Sequence, residues 1–146
     1  MAKLSPNEEL LELHRTWFRA SSAKDIDGAM APIAADALSY EHEAPLQYRG
    51  IGAIRAVCQH GFDLAEGEFT WDVPDLHIHV EGDLAVAWGL NRMHTVLPDG
   101  RETESWSRGT RVFRKIAGEW KMIHQHVSFP YDPSTGTVKT DLGPEL

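Results

Sequence analysis

Glu119-Trp120-Lys121-Met122-Ile123-His124-Gln125-His126-Val127-Ser128-Phe129-Pro130 is the stretch that decides the architecture of this chain. On the two-residue period of a strand, Trp120, Met122, His124, His126 and Ser128 share one face, while Lys121, Ile123, Gln125, Val127 and Phe129 share the other. Both faces carry bulk. Such a strand is central to a sheet covered on both sides, by helices, a ligand pocket or a partner subunit.

Working back from it, three turn sequences mark hairpins: Glu81-Gly82-Asp83, Pro98-Asp99-Gly100 and Ala117-Gly118. They predict an antiparallel sheet of strands over residues 68–80, broken at Pro74, then 84–96, 101–115 and 119–129. Strands of a dozen residues exceed the usual length of about five or six, so the sheet must twist and curl. Ala85, Ala87 and Gly89 share a face with Asn91 and Met93, as do Ser105, Ser107 and Gly109 with Arg111 and Phe113. The small side chains leave room for a helix or cavity on that concave side. Trp88, Leu90, Trp106, Val112, Trp120 and Met122 fall on the other face, an apolar patch that predicts a homodimer.

Further upstream, Ser5-Pro6-Asn7-Glu8 is a helix start with a capping box. Leu10, Leu13, His14, Trp17 and Phe18 then form one apolar stripe, giving a first helix to about Ala23. Asp25 caps a short second helix through Ala29 and Met30, closed by Pro32 and Ala34-Ala35. Residues 38–43 alternate as a short strand with Ser39, Glu41 and Glu43 on its polar face. Gly50-Ile51-Gly52 opens a third helix carrying Ile51, Ile54, Val57, Cys58 and Phe62. Residues 131–146 show no periodicity and are expected to lie extended on the surface.

With 146 residues, 42% of them hydrophobic, the chain suits one domain with a single core. A formal charge of -8 without a basic stripe argues against nucleic acid. The single cysteine, Cys58, excludes an internal disulfide, and no apolar run approaches the roughly 20 residues needed to span a bilayer. The polar start does not read as a signal peptide, so a cytoplasmic protein without membrane partners is expected.

This element order resembles the cone-shaped α+β fold of nuclear transport factor 2, with helices packed on a curved antiparallel sheet. Asp25-Ile26-Asp27-Gly28 with Ala34-Ala35-Asp36-Ala37 resembles the beginning of its ketosteroid isomerase and polyketide-cyclase (SnoaL-like) members. Ser39-Tyr40-Glu41-His42-Glu43-Ala44, Thr110-Arg111-Val112-Phe113, Gly118-Glu119-Trp120 and His124-Gln125-His126-Val127-Ser128 are similar to the association domain of calcium/calmodulin-dependent protein kinase II. The resemblance implies one domain over residues 1–130 and a tail over 131–146. It fixes activity poorly, because isomerases, cyclases, dehydratases and non-catalytic assembly modules share the fold.

The resemblance to ketosteroid isomerase implies that Glu41 stands where that family holds its proton-moving carboxylate. An apolar cavity would raise its pKa towards that of a useful base, and its bland alternative is a solvated edge-strand carboxylate. Trp17 stands where that isomerase has a tyrosine, and Thr110 or Arg111 where it has an aspartate, so its oxyanion hole is absent. Arg111 and Asn91 match pocket positions of the kinase association domain. Arg111 suits a carboxylate or enolate oxygen, or else a structural ion pair with Glu41 or Glu43. Trp17, Met93, Phe113, Asn91 and Gln125 are the expected substrate contacts. His124 and His126, about 7 Å apart on one face, would become acid and base if the faces were reversed. A metal on these two with His77, His79 or His94 is a weaker reading, and cross-interface hydrogen bonds a better one. Cys58 reads as core. Together these features predict a small-molecule pocket protein. It would be a cofactor-free, metal-free isomerase, cyclase or dehydratase for a largely apolar carbonyl compound, or alternatively a non-catalytic binding or oligomerisation module.

Overall fold

The computed structural model describes residues 2–144. Helix α1 (Pro6–Ser22) begins as its residues dictate: Ser5 Oγ accepts the Glu8 N–H at 3.2 Å and a Glu8 carboxylate oxygen accepts the Ser5 N–H at 3.4 Å. Helix α2 (Ile26–Met30) is capped by the Asp25 carboxylate, and α3 (Gly50–Leu64) follows the short strands β1 (Ile33–Tyr40) and β2 (Tyr48–Arg49). The remaining main strands are β3 (Glu68–Asp72), β4 (His77–Glu81), β5 (Leu84–Val96), β6 (Glu102–Ile116) and β7 (Glu119–Ser128). β1 begins five residues earlier than the alternation predicts and ends at Tyr40. The Ala34-Ala35 segment lies within this strand, in the irregular stretch between its pairings with β7 at Ile33 and from Leu38 onward.

The sheet order is β2-β1-β7-β6-β5-β3, with β4 also pairing β5. The pairing of β1 with β7 is parallel and all other pairings are antiparallel. β7 thus lies between β1 and β6, in the interior of the sheet. β5 is long enough to hold β3 on 92–96 and β4 on 84–88, and the chain crosses between them at residues 73–76. Gly89 permits that crossing, since a Cβ there would come within 2.5 Å of a Val73 methyl carbon. The segment 131–146, expected to be extended, forms a small hairpin of β8 (Tyr131–Asp132) and β9 (Thr137–Val138) within its described part.

One irregularity redistributes the side chains of β7. Phe113 pairs Met122 but Val112 pairs His124, so Ile123 is an extra residue in the ladder. A bulge of this kind shifts the alternation by one. Before it, Trp120 and Met122 point into the core; after it, Gln125 and Val127 face the same concave side. The expectation that Trp120 and Met122 sit on the convex face is therefore overturned, because a strict two-residue period has no place for a bulge. The convex side is left with Trp88, Leu90, Trp106 and Val112, flanked by His124 and His126.

The concave side packs against the helices. Leu10, Ile54, Phe113 and Met122 are fully buried there, with Trp17, Met30, Ile33 and Trp120 nearly so. Each such side chain contributes about 1.5–3 kcal/mol through removal from water. Trp120→Ala is expected to cost about 3–5 kcal/mol of stability, measured as the shift in urea unfolding free energy. A loss below about 1 kcal/mol would contradict its place in the core.

Candidate functional site

A cavity of about 210 Å³ opens between the sheet and the three helices. Its apolar wall comes from Trp17, Met30, Ile33, Ile54, Phe62 and Trp71, and its polar end from Glu41, His42, Asn91, Arg111 and Gln125. β6 supplies the arginine and β7 the glutamine. The segment just past the end of β1 supplies the carboxylate and imidazole together. With the ladder ended at Tyr40, successive side chains need no longer alternate, and Glu41 and His42 both turn inward.

Arg111 organises the polar end. The residue is 3% exposed, and its guanidinium lies 5.4 Å from the Trp17 ring centroid and 5.1 Å from that of Trp71, whose planes meet at 89°. Such cation–π contacts offset part of the cost of burying a cation. Nε donates to Gln125 Oε1 at 3.1 Å, and a terminal nitrogen donates to Asn91 Oδ1 at 3.0 Å. Gln125 Nε2 then donates to Glu41 Oε2 at 2.9 Å and to Ser39 Oγ at 3.0 Å, while Ser39 Oγ donates to the same Glu41 oxygen at 2.8 Å. Glu41 Oε1 has no hydrogen-bond partner among the described residues. Asn91 Oδ1 also accepts the Trp71 indole N–H at 3.1 Å, and Asn91 Nδ2 donates to Ser107 Oγ at 3.0 Å. Ser107 Oγ in turn lies 2.7 Å from His42 Nε2. Gly109 leaves room for this network, since a Cβ there would come within 2.9 Å of both Arg111 Nη1 and Asn91 Nδ2.

Burial sets the proton affinities. Desolvation pushes the Glu41 pKa above the ordinary carboxylate value, opposed by the Ser39 hydrogen bond and the Arg111 charge. It lowers Arg111 to about 10, with the Glu41 charge acting in the other direction, so the guanidinium stays charged at neutral pH. It lowers His42 to about 4, with Arg111 contributing. His14, beneath the cavity with its ring 5.3 Å from Phe113, is also lowered to about 4; its Nδ1 donates to the Leu10 carbonyl at 2.7 Å.

Of the residues singled out from sequence, Glu41, Arg111, Trp17, Asn91, Met93 and Gln125 line this one cavity. Phe113 does not; it is fully buried below, against His14. No ion pair joins Arg111 to Glu41 or Glu43 among the described residues, and Gln125 stands between Arg111 and Glu41. The faces are not reversed: His124 and His126 stay outside, their rings 4.8 and 5.4 Å from that of Tyr40, and His124 Nδ1 lies 2.7 Å from the Leu38 carbonyl. Among the described residues no three His, Cys, Asp or Glu side chains converge as metal ligands. Cys58, expected in the core, is half-buried on the cavity lining, its thiol pushed up to about 11 by burial. Sequence reasoning misses His42, Trp71, Ser39 and Ser107. Pro45 is the available signal for His42, since a strand cannot continue far towards it and alternation fails there.

A family model described as a SnoaL-like domain matches residues 10–132. A nuclear transport factor 2-like protein of unknown function from Pseudomonas putida KT2440 is 30% identical, over 97% of this chain and 100% of that one, with a TM-score of 0.86. Two more distant structures share the fold. A protein of the same superfamily from Streptomyces avermitilis, described as a candidate dehydratase, is 18% identical over 85% of this chain and 97% of its own, with a TM-score of 0.73. The calcium/calmodulin-dependent protein kinase II hub of S. rosetta is 21% identical over 87% and 98%, with a TM-score of 0.72. No curated protein matches the chain.

The depressed histidines make acid stability a direct readout of the buried network. His14 binds its proton only near pH 4 in the folded state but near 6.5 when unfolded, so its stabilising contribution is full above 6.5 and is lost as pH falls through 4. Its share is roughly 3 kcal/mol at about 1.4 kcal/mol per pH unit. His14→Phe is expected to flatten the decline in urea unfolding free energy between about pH 6.5 and 4.5; an unchanged slope would show that His14 does not carry it.

Proposed function

The chain belongs to the SnoaL-like family and has the nuclear transport factor 2-like fold, and from that premise we propose that its cavity is the active site of an isomerase, cyclase or dehydratase. The proposed chemistry is general acid–base proton transfer on a small, largely apolar carbonyl compound. The observation that carries this reading is that Glu41 and Arg111 share one polar cluster without pairing. A direct ion pair would stabilise the carboxylate and weaken it as a base. With Gln125 between the two, Glu41 keeps a raised proton affinity and one unbonded oxygen.

In this scheme Glu41 Oε1 removes a proton from the carbon next to the substrate carbonyl. The C–H electron pair becomes a new C=C bond, and the carbonyl π pair moves onto oxygen. The Arg111 charge stabilises that oxygen in a site of low dielectric. Return of the same proton to a different carbon completes an isomerisation; attack of the enolate on an electrophilic carbon completes a cyclisation. Loss of a neighbouring hydroxyl, which leaves as water with that proton, completes a dehydration. Trp17 and Met93 hold the apolar body, and Asn91 and Gln125 fix the arginine. A purely architectural pocket, as in an assembly module, gives no reason to keep a carboxylate and an arginine buried together but unpaired.

Two measurements test these assignments. Glu41→Gln is expected to slow hydrogen–deuterium exchange at the α-carbon of small cyclic ketones about 10²–10⁴-fold, followed by NMR in D2O, with the unfolding temperature retained. The wild-type rate should fall as pH drops through the raised Glu41 pKa, because the base is then protonated. Undiminished exchange in Glu41→Gln sinks the assignment. For assembly we infer a homodimer through the convex face, where Trp88 is 43% exposed and stacks on His77 at 5.5 Å. Sedimentation velocity should show Trp88→Glu as a monomer; a wild-type monomer would refute the dimer.

A further inference from the structure

The second arm of the polar cluster ends on a group to which the proton-transfer scheme assigns no role. His42 belongs to the lining of the inner cavity and also of an outer groove of about 820 Å³, which is walled by Tyr40, Pro45, Leu46, His126 and Phe129. Among the described residues, Glu41, His42 and Val127 alone are shared by the two linings, so these residues form the neck between them. The His42 ring lies 4.7 Å from that of Phe129 at 35°, which holds its plane.

The hydrogen bonds feeding His42 have a direction that can be followed from Arg111. A guanidinium only donates. Asn91 Oδ1 receives two donors, Arg111 and the Trp71 indole, so Asn91 presents Nδ2 to Ser107. Ser107 is 2% exposed, and its hydroxyl accepts from Asn91. Its own proton then needs an acceptor, and among the described residues the one within reach is His42 Nε2, at 2.7 Å. An Nε2 that accepts carries no proton, so the proton of the neutral ring sits on Nδ1. His42 Nδ1 has no partner among the described residues, and it is not among the sealed-in polar atoms that lack one, which are His14 Nε2 and Trp120 Nε1.

We infer that His42 is a further catalytic residue beside Glu41 and Arg111, locked by Ser107 as the Nδ1–H tautomer so that it donates a hydrogen bond to the substrate oxygen at the neck of the cavity. This rests on the proton-transfer reading of the site. As Glu41 takes the proton from carbon, the oxygen gains the carbonyl π pair and accepts the Nδ1–H hydrogen bond; the proton stays on nitrogen, and no further group is consumed. The low proton affinity of the ring keeps it neutral at pH 7. The same guanidinium thus polarises both arms: through Gln125 it leaves Glu41 an acceptor, and through Asn91 and Ser107 it leaves His42 a donor. The neck also implies a substrate whose oxygen lies between an apolar part in the inner cavity and a further part in the outer groove.

Two-bond proton–nitrogen NMR of the histidine rings tests this without any activity. In 15N-labelled full-length protein at pH 7, with His42 assigned by comparison with His42→Gln, a protonated Nδ1 and a bare Nε2 are expected. The same pattern is expected in Glu41→Gln, whereas Ser107→Ala should lose the preference. A protonated Nε2, or a doubly protonated ring, overturns the inference. The contact is tested with cyclohexanone, added until the indole signals of Trp17 and Trp71 have moved: the His42 Nδ1–H signal should move with them. Indole shifts with His42 unchanged overturn the catalytic role and leave the tautomer standing. Unchanged exchange in Glu41→Gln counts instead against Glu41 as base, so the two failures are distinguishable.

Discussion

A full positive charge buried at the polar end of the cavity, on Arg111, is the constraint around which the rest of this structure is arranged. Removing a guanidinium from water costs several kcal/mol unless aromatic faces, carbonyl oxygens or an anion compensate. Here all three are present: Trp17 and Trp71 stand against it, Asn91 and Gln125 accept from it, and Glu41 lies one residue further along. Each partner comes from a different element, so α1, β3, β5 and β7 must be in place before the charge is satisfied. Gly109 belongs to the same constraint, because its missing Cβ is the space the arginine and asparagine occupy.

The polar end of the cavity acts as one unit. Glutamine and asparagine side chains can point either way, but a cation that only donates removes that freedom at both. Their orientations pass outward to Ser39, Ser107, Glu41 and His42. Such a fully connected network is rigid, and breaking it at any member leaves a buried polar group without its partner. Two aromatic walls make the same enclosure apolar, so interactions with a developing charge are weakly screened there.

Much of this arrangement is legible in the order of the residues. The hairpin turns mark β5 to the residue and β6 to within one, because glycine and aspartate at those positions leave the chain few alternatives. Side-chain size along β5 and β6 puts Asn91, Met93 and Arg111 on the cavity side, where the fold has them. Gln125 falls on that side too, yet by a count that puts Trp120 on the wrong face. A bulge leaves no mark in the two-residue pattern, since its cause is the fit of β7 between β1 and β6 and lies outside the stretch itself. His42 escapes for a related reason: alternation carries on past Tyr40 in the sequence, whereas pairing ends there in the sheet. Phe113 is on the expected face but deeper than the cavity, because a face does not report depth.

The extra residue at Ile123 divides β7 into two independently variable halves. Residues before it answer to the helices, and residues after it answer to the cavity, though both look in one direction. In an unbroken strand every change of register would trade one set for the other. Here, Gln125 and Val127 can be altered to reshape the cavity while Trp120 and Met122 keep the helices seated. A scaffold with that division can vary the shape and polarity of its cavity by substitution along one half of one strand, without first finding a new way to fold.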